Sequence, residues 1–186
     1  MIYILRHGKT EWNKLKKLQG RTDIPLCDEG RVMAREAAEE YAGIHFDVCY
    51  CSPLIRARET AEIILKDRDV PIIIDDRLKE MAFGKYEGIE RSFDIPDCPI
   101  NVLFNAPEKY EAPADAGESL DELFARVKDF IDEVIMPLQE AGKDVLIVGH
   151  GALNSCMLTQ AKGLSRKDFW SHGIVQCKLM PLFGND

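Results

Sequence analysis

The chain has 186 residues and a mass of 21.1 kDa, with 32 acidic against 24 basic side chains, a formal charge of −8 and a pI near 5.1. A globular chain of this length buries roughly 70% of its unfolded surface, so one core suffices without staples. The hydrophobic fraction of 46% and charged fraction of 30% exclude a disordered or low-complexity chain. The acidic balance excludes nucleic acid and anionic lipid as bulk partners, and no apolar run approaches the roughly 20 residues of a membrane span.

Ile2 to Leu5 reads as a strand, with no basic segment before it that would make it a signal peptide. Leu15 to Cys27 is a polar loop, followed by a helix from about Gly30 to Tyr41 with Met33, Ala37, Ala38 and Tyr41 on one side. Phe46 to Cys51 is a second strand, in which Cys49 and Cys51 alternate on one face as small buried hydrophobes. The six cysteines include no C-x-x-C and no paired metal spacing, which implies a reducing cytoplasm and no metal. Ser52 and Pro53 open a helix as N-cap and first-turn proline, with Leu54, Ala57, Ala61, Ile64 and Leu65 as its stripe.

Ile72 to Ile74 is a third strand. Residues 82 to 117 then hold Pro96, Pro99, Pro107 and Pro113 without a clean period, the mark of a lid or binding loop. Ser119 and Glu122 form a capping box for a helix that places Leu123, Val127, Ile131, Val134 and Leu138 on one face and ends near Gly142. Val145 to Gly149, a helix from Gly151 to Lys162 and a strand from Val175 to Met180 complete the chain. Strands alternating with helices predict one domain over residues 1–186, a three-layer α/β/α fold with a mostly parallel central sheet.

Two segments repeat one arrangement. Ile2 to Leu5 runs into Arg6-His7-Gly8, and Val145 to Val148 runs into Gly149-His150-Gly151. Each histidine thus follows the carboxyl end of a buried strand, the edge where open α/β sheets bind ligands. If the two strands are neighbours, both imidazoles share one pocket. Arg56, in the first turn of a helix starting at the same edge, opposes the helix dipole and gains nothing from it. Its use is to grip an anion, and with Arg6 it makes a phosphate-sized positive site. His45 and His172 are lone loop histidines, and Trp12 is a packing residue. Lys14, Lys16 and Lys17 form a short basic run, a solvated face whose charge suits an acidic substrate.

The segment Leu5-Arg6-His7-Gly8-Lys9-Thr10-Glu11-Trp12-Asn13 resembles the signature of the histidine phosphatase superfamily, the phosphoglycerate-mutase-like proteins. The resemblance continues through Gln19-Gly20-Arg21-Thr22-Asp23, Ser52-Pro53-Leu54-Ile55-Arg56-Ala57-Arg58-Glu59-Thr60-Ala61, Leu78-Lys79-Glu80-Met81 to Gly88, Gly117-Glu118-Ser119 and Gly149-His150-Gly151, in the family's order. It implies that His7 is the nucleophile taking the phosphoryl group. Arg6, Arg56 and His150 would bind that group, Asn13 and Gly20 would add substrate contacts, and Glu80 would be the proton donor to the leaving alkoxide. No cofactor or metal is implied.

The resemblance further implies a phosphoric monoester hydrolase of the histidine acid phosphatase type acting on a small phosphate ester, similar in size and style to alpha-ribazole and broad-specificity phosphatases. The alternatives are a cofactor-dependent phosphoglycerate mutase and a non-catalytic phospho-ligand-binding module. Mutases tend to be longer, and residues 92 to 116 do not resemble their lid. Tyr86 stands where many relatives have tryptophan, and Ala116 where a second glycine is usual. Phe93, Ile95, Val102, Leu103, Phe104 and Tyr110 have two open roles, packing over a substrate or fastening the loop to the core. Oligomeric state is not legible.

Overall fold

In a computed structural model, which describes residues 1–115 and 117–184, five strands form one sheet in the order β3-β2-β4-β1-β5. These are β1 (Ile2–Arg6), β2 (Val48–Cys51), β3 (Ile72–Ile74), β4 (Val145–Gly149) and β5 (Leu179–Pro181). The first four run parallel, and β5 lies antiparallel on β1. Ala116 lies outside the described residues. β4 is buried along its whole length because it sits at the centre of the sheet and is covered on both faces, which is why its sequence is continuously apolar.

The helices in chain order are α1 (Glu11–Lys14), α2 (Asp28–Glu40), α3 (Ile55–Ile64), α4 (Asn101–Asn105), α5 (Leu120–Phe130), α6 (Met136–Glu140) and α7 (Gly151–Ala161). The strand period of two divides the core. Ile2, Ile4, Val145 and Ile147 point to one layer with Leu123 and Val127 of α5 and Leu153 and Met157 of α7. Leu5, Leu146 and Val148 point to the other, with Ala34 and Ala37 of α2 and Ala57 and Ala61 of α3. The small alanines let α2 and α3 lie close to the sheet, and each large aliphatic side chain so buried contributes roughly 1.5–3 kcal/mol.

Three elements differ from their sequence readings. The last strand is Leu179–Pro181, not Val175 to Met180, because Cys177 takes a left-handed conformation (φ +55°) that interrupts the extended chain. The helix expected from Ser52 begins at Ile55, and Ser52 is engaged elsewhere. The long helix from Ser119 has its expected capping box, with Ser119 Oγ accepting from Glu122 N at 3.2 Å. It is interrupted by a π-turn over Ile131–Ile135, immediately before Pro137, whose missing N–H removes one bond from the helical ladder. Residues 82–115 of the loop segment hold short turns and α4, with Ile100 and Leu103 fully buried.

Candidate active site

β1 and β4 are direct neighbours, with Leu5 opposite Val148 and Arg6 opposite Gly149. That register delivers His7 and His150 side by side at the carboxyl edge, their ring centroids 5.2 Å apart and tilted by 58°. The chain leaves β1 toward α2 and β2 on one side and leaves β4 toward α7 and β5 on the other. The two histidines therefore stand at a switch point of the sheet.

A cavity of about 300 Å³ opens there. Arg6, His7, Asn13, Gly20, Arg56 and Glu80 give it polar groups, and Leu18, Phe83, Phe104 and Trp170 give it an apolar wall. Of the seven residues singled out from the sequence, only His150 is absent from this lining; it is fully buried beside His7. Trp12 stands outside, with Lys17 over its ring at 5.7 Å, and His45 and His172 are also outside.

His7 Nδ1 lies 2.6 Å from the carbonyl oxygen of Gly8. A carbonyl only accepts, so Nδ1 carries the ring proton and Nε2 keeps the lone pair. Gly8 is itself fixed, its N–H donating to Thr60 Oγ1 at 3.0 Å, and a Cβ there would lie 2.6 Å from the Gly30 carbonyl oxygen. His150 Nε2 meets Ser52 Oγ at 2.7 Å, while its Nδ1 is buried without a partner among the described residues. Burial first, then the charges of Arg56 and Arg6, hold the His7 imidazole well below its ordinary value of 6.5. Burial and the Arg56 charge, followed by His7, do the same for His150. Both rings are therefore neutral at pH 7.

Arg56 is buried and Arg6 half-buried, and both guanidinium groups are only partly satisfied. Arg56 Nη1 and Nη2 donate to the carbonyls of Thr22 (2.9 Å) and Gly20 (2.6 Å), and Arg6 Nη1 donates to the Ile174 carbonyl at 3.2 Å. The Nε of each finds no partner among the described residues. Burial lowers the Arg56 guanidinium to about 10 against the raising effect of Glu80, and lowers Arg6 likewise. Buried donors on fixed cations, in a protein of net charge −8, define a site for an anion.

Glu80 sits at the amino end of α7. Its Oε1 accepts from Met81 N (2.9 Å) and Leu153 N (3.0 Å), and its Oε2 from Ala152 N (3.2 Å). The helix terminus orients the carboxylate toward the arginines. Asn13 Oδ1 accepts from Thr10 N, Thr10 Oγ1 and Gln176 Nε2 at 3.0, 3.1 and 2.9 Å, which leaves its amide N–H groups to donate.

Several structural contributors were not legible from the residues alone. Ser52 reads as a helix cap, yet its hydroxyl holds His150. Glu87 reads as one more acid in an acidic chain, but it accepts from Arg21 N (3.0 Å), Thr22 N (2.9 Å), Thr22 Oγ1 (2.5 Å) and Phe83 N (3.0 Å). It thereby ties the Gly20 loop to the Glu80 segment. Gly20 has φ +54°, and a Cβ there would fall 2.2 Å from Glu87 Oε1. Glu118 is buried between Arg126 (2.6 Å) and Arg21 (3.2 Å), and Arg21 Nε also donates to the Glu80 carbonyl at 3.1 Å. These are partners across elements, which spacing does not reveal. One group of three metal-capable side chains occurs among the described residues, His45, Asp47 and Asp144, away from the histidine pair. Lys143 (3.1 Å) and the amino terminus (2.5 Å) already occupy its carboxylates.

A neutral imidazole with a free Nε2, set among cations and a carboxylate at the carboxyl edge of a parallel sheet, is the equipment of phosphoryl transfer to histidine. The chain belongs to the histidine phosphatase superfamily (branch 1), whose family model matches residues 2–182. Among curated proteins it is 37% identical over 162 residues to the uncharacterized phosphatase PhoE of Bacillus subtilis, covering 87% of this chain and 77% of that one. It is 32% identical over 180 residues to a 2,3-bisphosphoglycerate-dependent phosphoglycerate mutase of Gloeobacter violaceus, covering 95% and 82%. The solved structure of Bacillus stearothermophilus YhfR superposes with a TM-score of 0.85 at 28% identity, covering 96% of this chain and 88% of that one.

Proposed function

We propose that the protein is a metal-independent phosphomonoesterase of the histidine acid phosphatase type, acting on a small phosphate ester in a reducing cytoplasm. The observation that carries this reading is the Gly8 carbonyl on His7 Nδ1, which commits Nε2 to be the nucleophile. Arg6, Arg56 and His150 gather the phosphoryl oxygens, and Asn13 and the Gly20 loop add donors from the opposite wall. The His7 Nε2–P bond forms as the ester P–O bond breaks, and the leaving alkoxide takes a proton from Glu80. Water then attacks the phosphohistidine, returns a proton to Glu80 and releases phosphate.

In the free protein three backbone N–H groups hold the Glu80 carboxyl group in place. Residues 82–117, which carry Phe83 and Phe104 of the apolar wall, act as the lid.

The test is p-nitrophenyl phosphate hydrolysis in the presence of EDTA by wild type and His7→Ala, with base-stable, acid-labile phosphoprotein assayed by rapid alkaline quench with labelled substrate. Metal-independent turnover and label, both lost in the variant, are expected. Turnover without His7 would sink the assignment. The similarity to a phosphoglycerate mutase supports a second reading, which 3-phosphoglycerate with its bisphosphate primer would reveal as isomerisation instead of phosphate release.

A further inference from the structure

Lys17 and Leu18 belong to two cavities at once. One is the catalytic cavity; the other, of about 320 Å³, is lined also by Lys16, Arg91, Phe93 and Asp94. Each is near the lower end of the roughly 300–1,000 Å³ of small-molecule sites. Phe93, 61% exposed, packs on Phe104 at 5.4 Å, and Phe104 stacks on Trp170 at 5.3 Å and 21°. A ribbon of aromatic faces therefore runs from the second cavity into the first. Trp170 is fixed in it by its Nε1–H, which donates to the Leu103 carbonyl at 2.8 Å.

The cations are placed by backbone. Leu18 N donates to the Ile89 carbonyl (3.0 Å), Gly88 N to the Leu18 carbonyl (2.8 Å) and Arg91 N to the Lys16 carbonyl (2.9 Å). Lys16 and Arg91 face each other across this short ribbon, both in the left-handed region at φ +54° and +51°. Non-glycine residues held there cost energy and cluster at functional positions. Arg91 pairs with Asp94 at 2.7 Å, whereas neither Lys16 nor Lys17 is paired with a carboxylate among the described residues.

We propose that the substrate is an elongated phosphate monoester whose leaving group has a planar body, which lies along Phe104 and Trp170, and ends in a second anionic group bound by Lys16 and Lys17. This deepens the phosphatase reading and rests on it for which end of the substrate enters first. A distal carboxylate and a distal phosphate satisfy the same chemistry. The second anion also explains how a chain of net charge −8 keeps two ammonium groups free of its own acids at this rim.

The test needs no turnover. Calorimetry compares binding of biphenyl-4-ylmethylphosphonate with its 4′-carboxy derivative, two ligands differing only in the distal anion. Wild type is expected to bind the carboxylated ligand about tenfold tighter, as one good hydrogen bond to a charged group allows. Lys16→Asn/Lys17→Gln, in which asparagine tolerates the left-handed backbone at position 16, is expected to bind both ligands alike, with the affinity that wild type has for the uncarboxylated one. The wild-type preference is also expected to shrink at high salt. Equal affinities in wild type, or a preference indifferent to salt and to the double variant, overturn the proposal. Failure of wild type to hydrolyse p-nitrophenyl phosphate overturns the phosphatase reading instead, and the binding comparison still decides the distal site.

Discussion

His7 and His150 both feel the charges of Arg56 and Arg6, and their neutrality has a thermodynamic signature. An unfolded chain protonates both imidazoles as pH falls through about 6.5, whereas the folded protein resists because burial and Arg56 hold both values well below that. The unfolded state then binds more protons, so stability is lost as pH falls below about 6.5, by up to about 1.4 kcal/mol per pH unit for each histidine. Urea denaturation between roughly pH 5 and 6 should therefore show a shallower slope for His7→Gln than for wild type, by up to that amount. Identical slopes would mean that the folded His7 titrates normally. Glu80→Gln preserves size but holds no transferable proton. It should lower kcat for an alkyl phosphate by about 10²–10⁴, and much less for p-nitrophenyl phosphate, whose leaving group needs little help. Equal losses on the two substrates would remove Glu80 as the proton donor.

Between elements, the Gly20 loop, the Glu80 segment and the amino end of α5 are held by two carboxylates, Glu87, half-buried, and Glu118, buried. Glu87→Gln keeps one acceptor oxygen but turns an amide toward donors that both oxygens now accept, a loss of about 1–3 kcal/mol. Because this loop carries Gly20 and the carbonyls that orient Arg56, KM should rise with it, and steady-state kinetics would show whether the two effects separate. Arg126→Met leaves Glu118 buried with only Arg21 and Ala82 N, at a cost of about 3 kcal/mol or more by thermal unfolding. A variant as stable as wild type would show that Arg21 alone satisfies the charge.

These contacts mark where sequence reading stops. Strand-following histidines and Arg56 are visible because position along a strand or helix fixes direction. The carboxylates at 87 and 118 are not, because their partners come from other elements. The break in the helix after Phe130 was legible in principle from Pro137. The shortened last strand was not, since nothing about Cys177 announces a left-handed backbone. Ser52 carried two meanings, cap and histidine partner, and the sequence supports only the first.

Over the whole molecule, both layers of the core contain thiols. Burial pushes Cys49, Cys156 and Cys177 up to about 12 and Cys51 higher still, and all six cysteines are free. Only Cys27 is not buried. Ellman's reagent at neutral pH should titrate one thiol in the folded protein and six in guanidinium. A second fast-reacting thiol would indicate that one layer opens readily. The parallel sheet and its alternation with helices were legible from the chain, but the strand order was not. It is that order, with β4 seated between β1 and β2, that makes one pocket of two distant histidines.

The same seating has a consequence for synthesis. β1 and β2 do not touch each other and are joined only through β4. A nascent chain emerging from the ribosome thus carries its first strand, and β2 with β3, on either side of an empty slot until residue 149 has left the tunnel. Unpaired edges of this kind attract other strands. The protein's most exposed moment is therefore late in its own translation, and a holdase that covers apolar strands should matter to its yield more than to its activity.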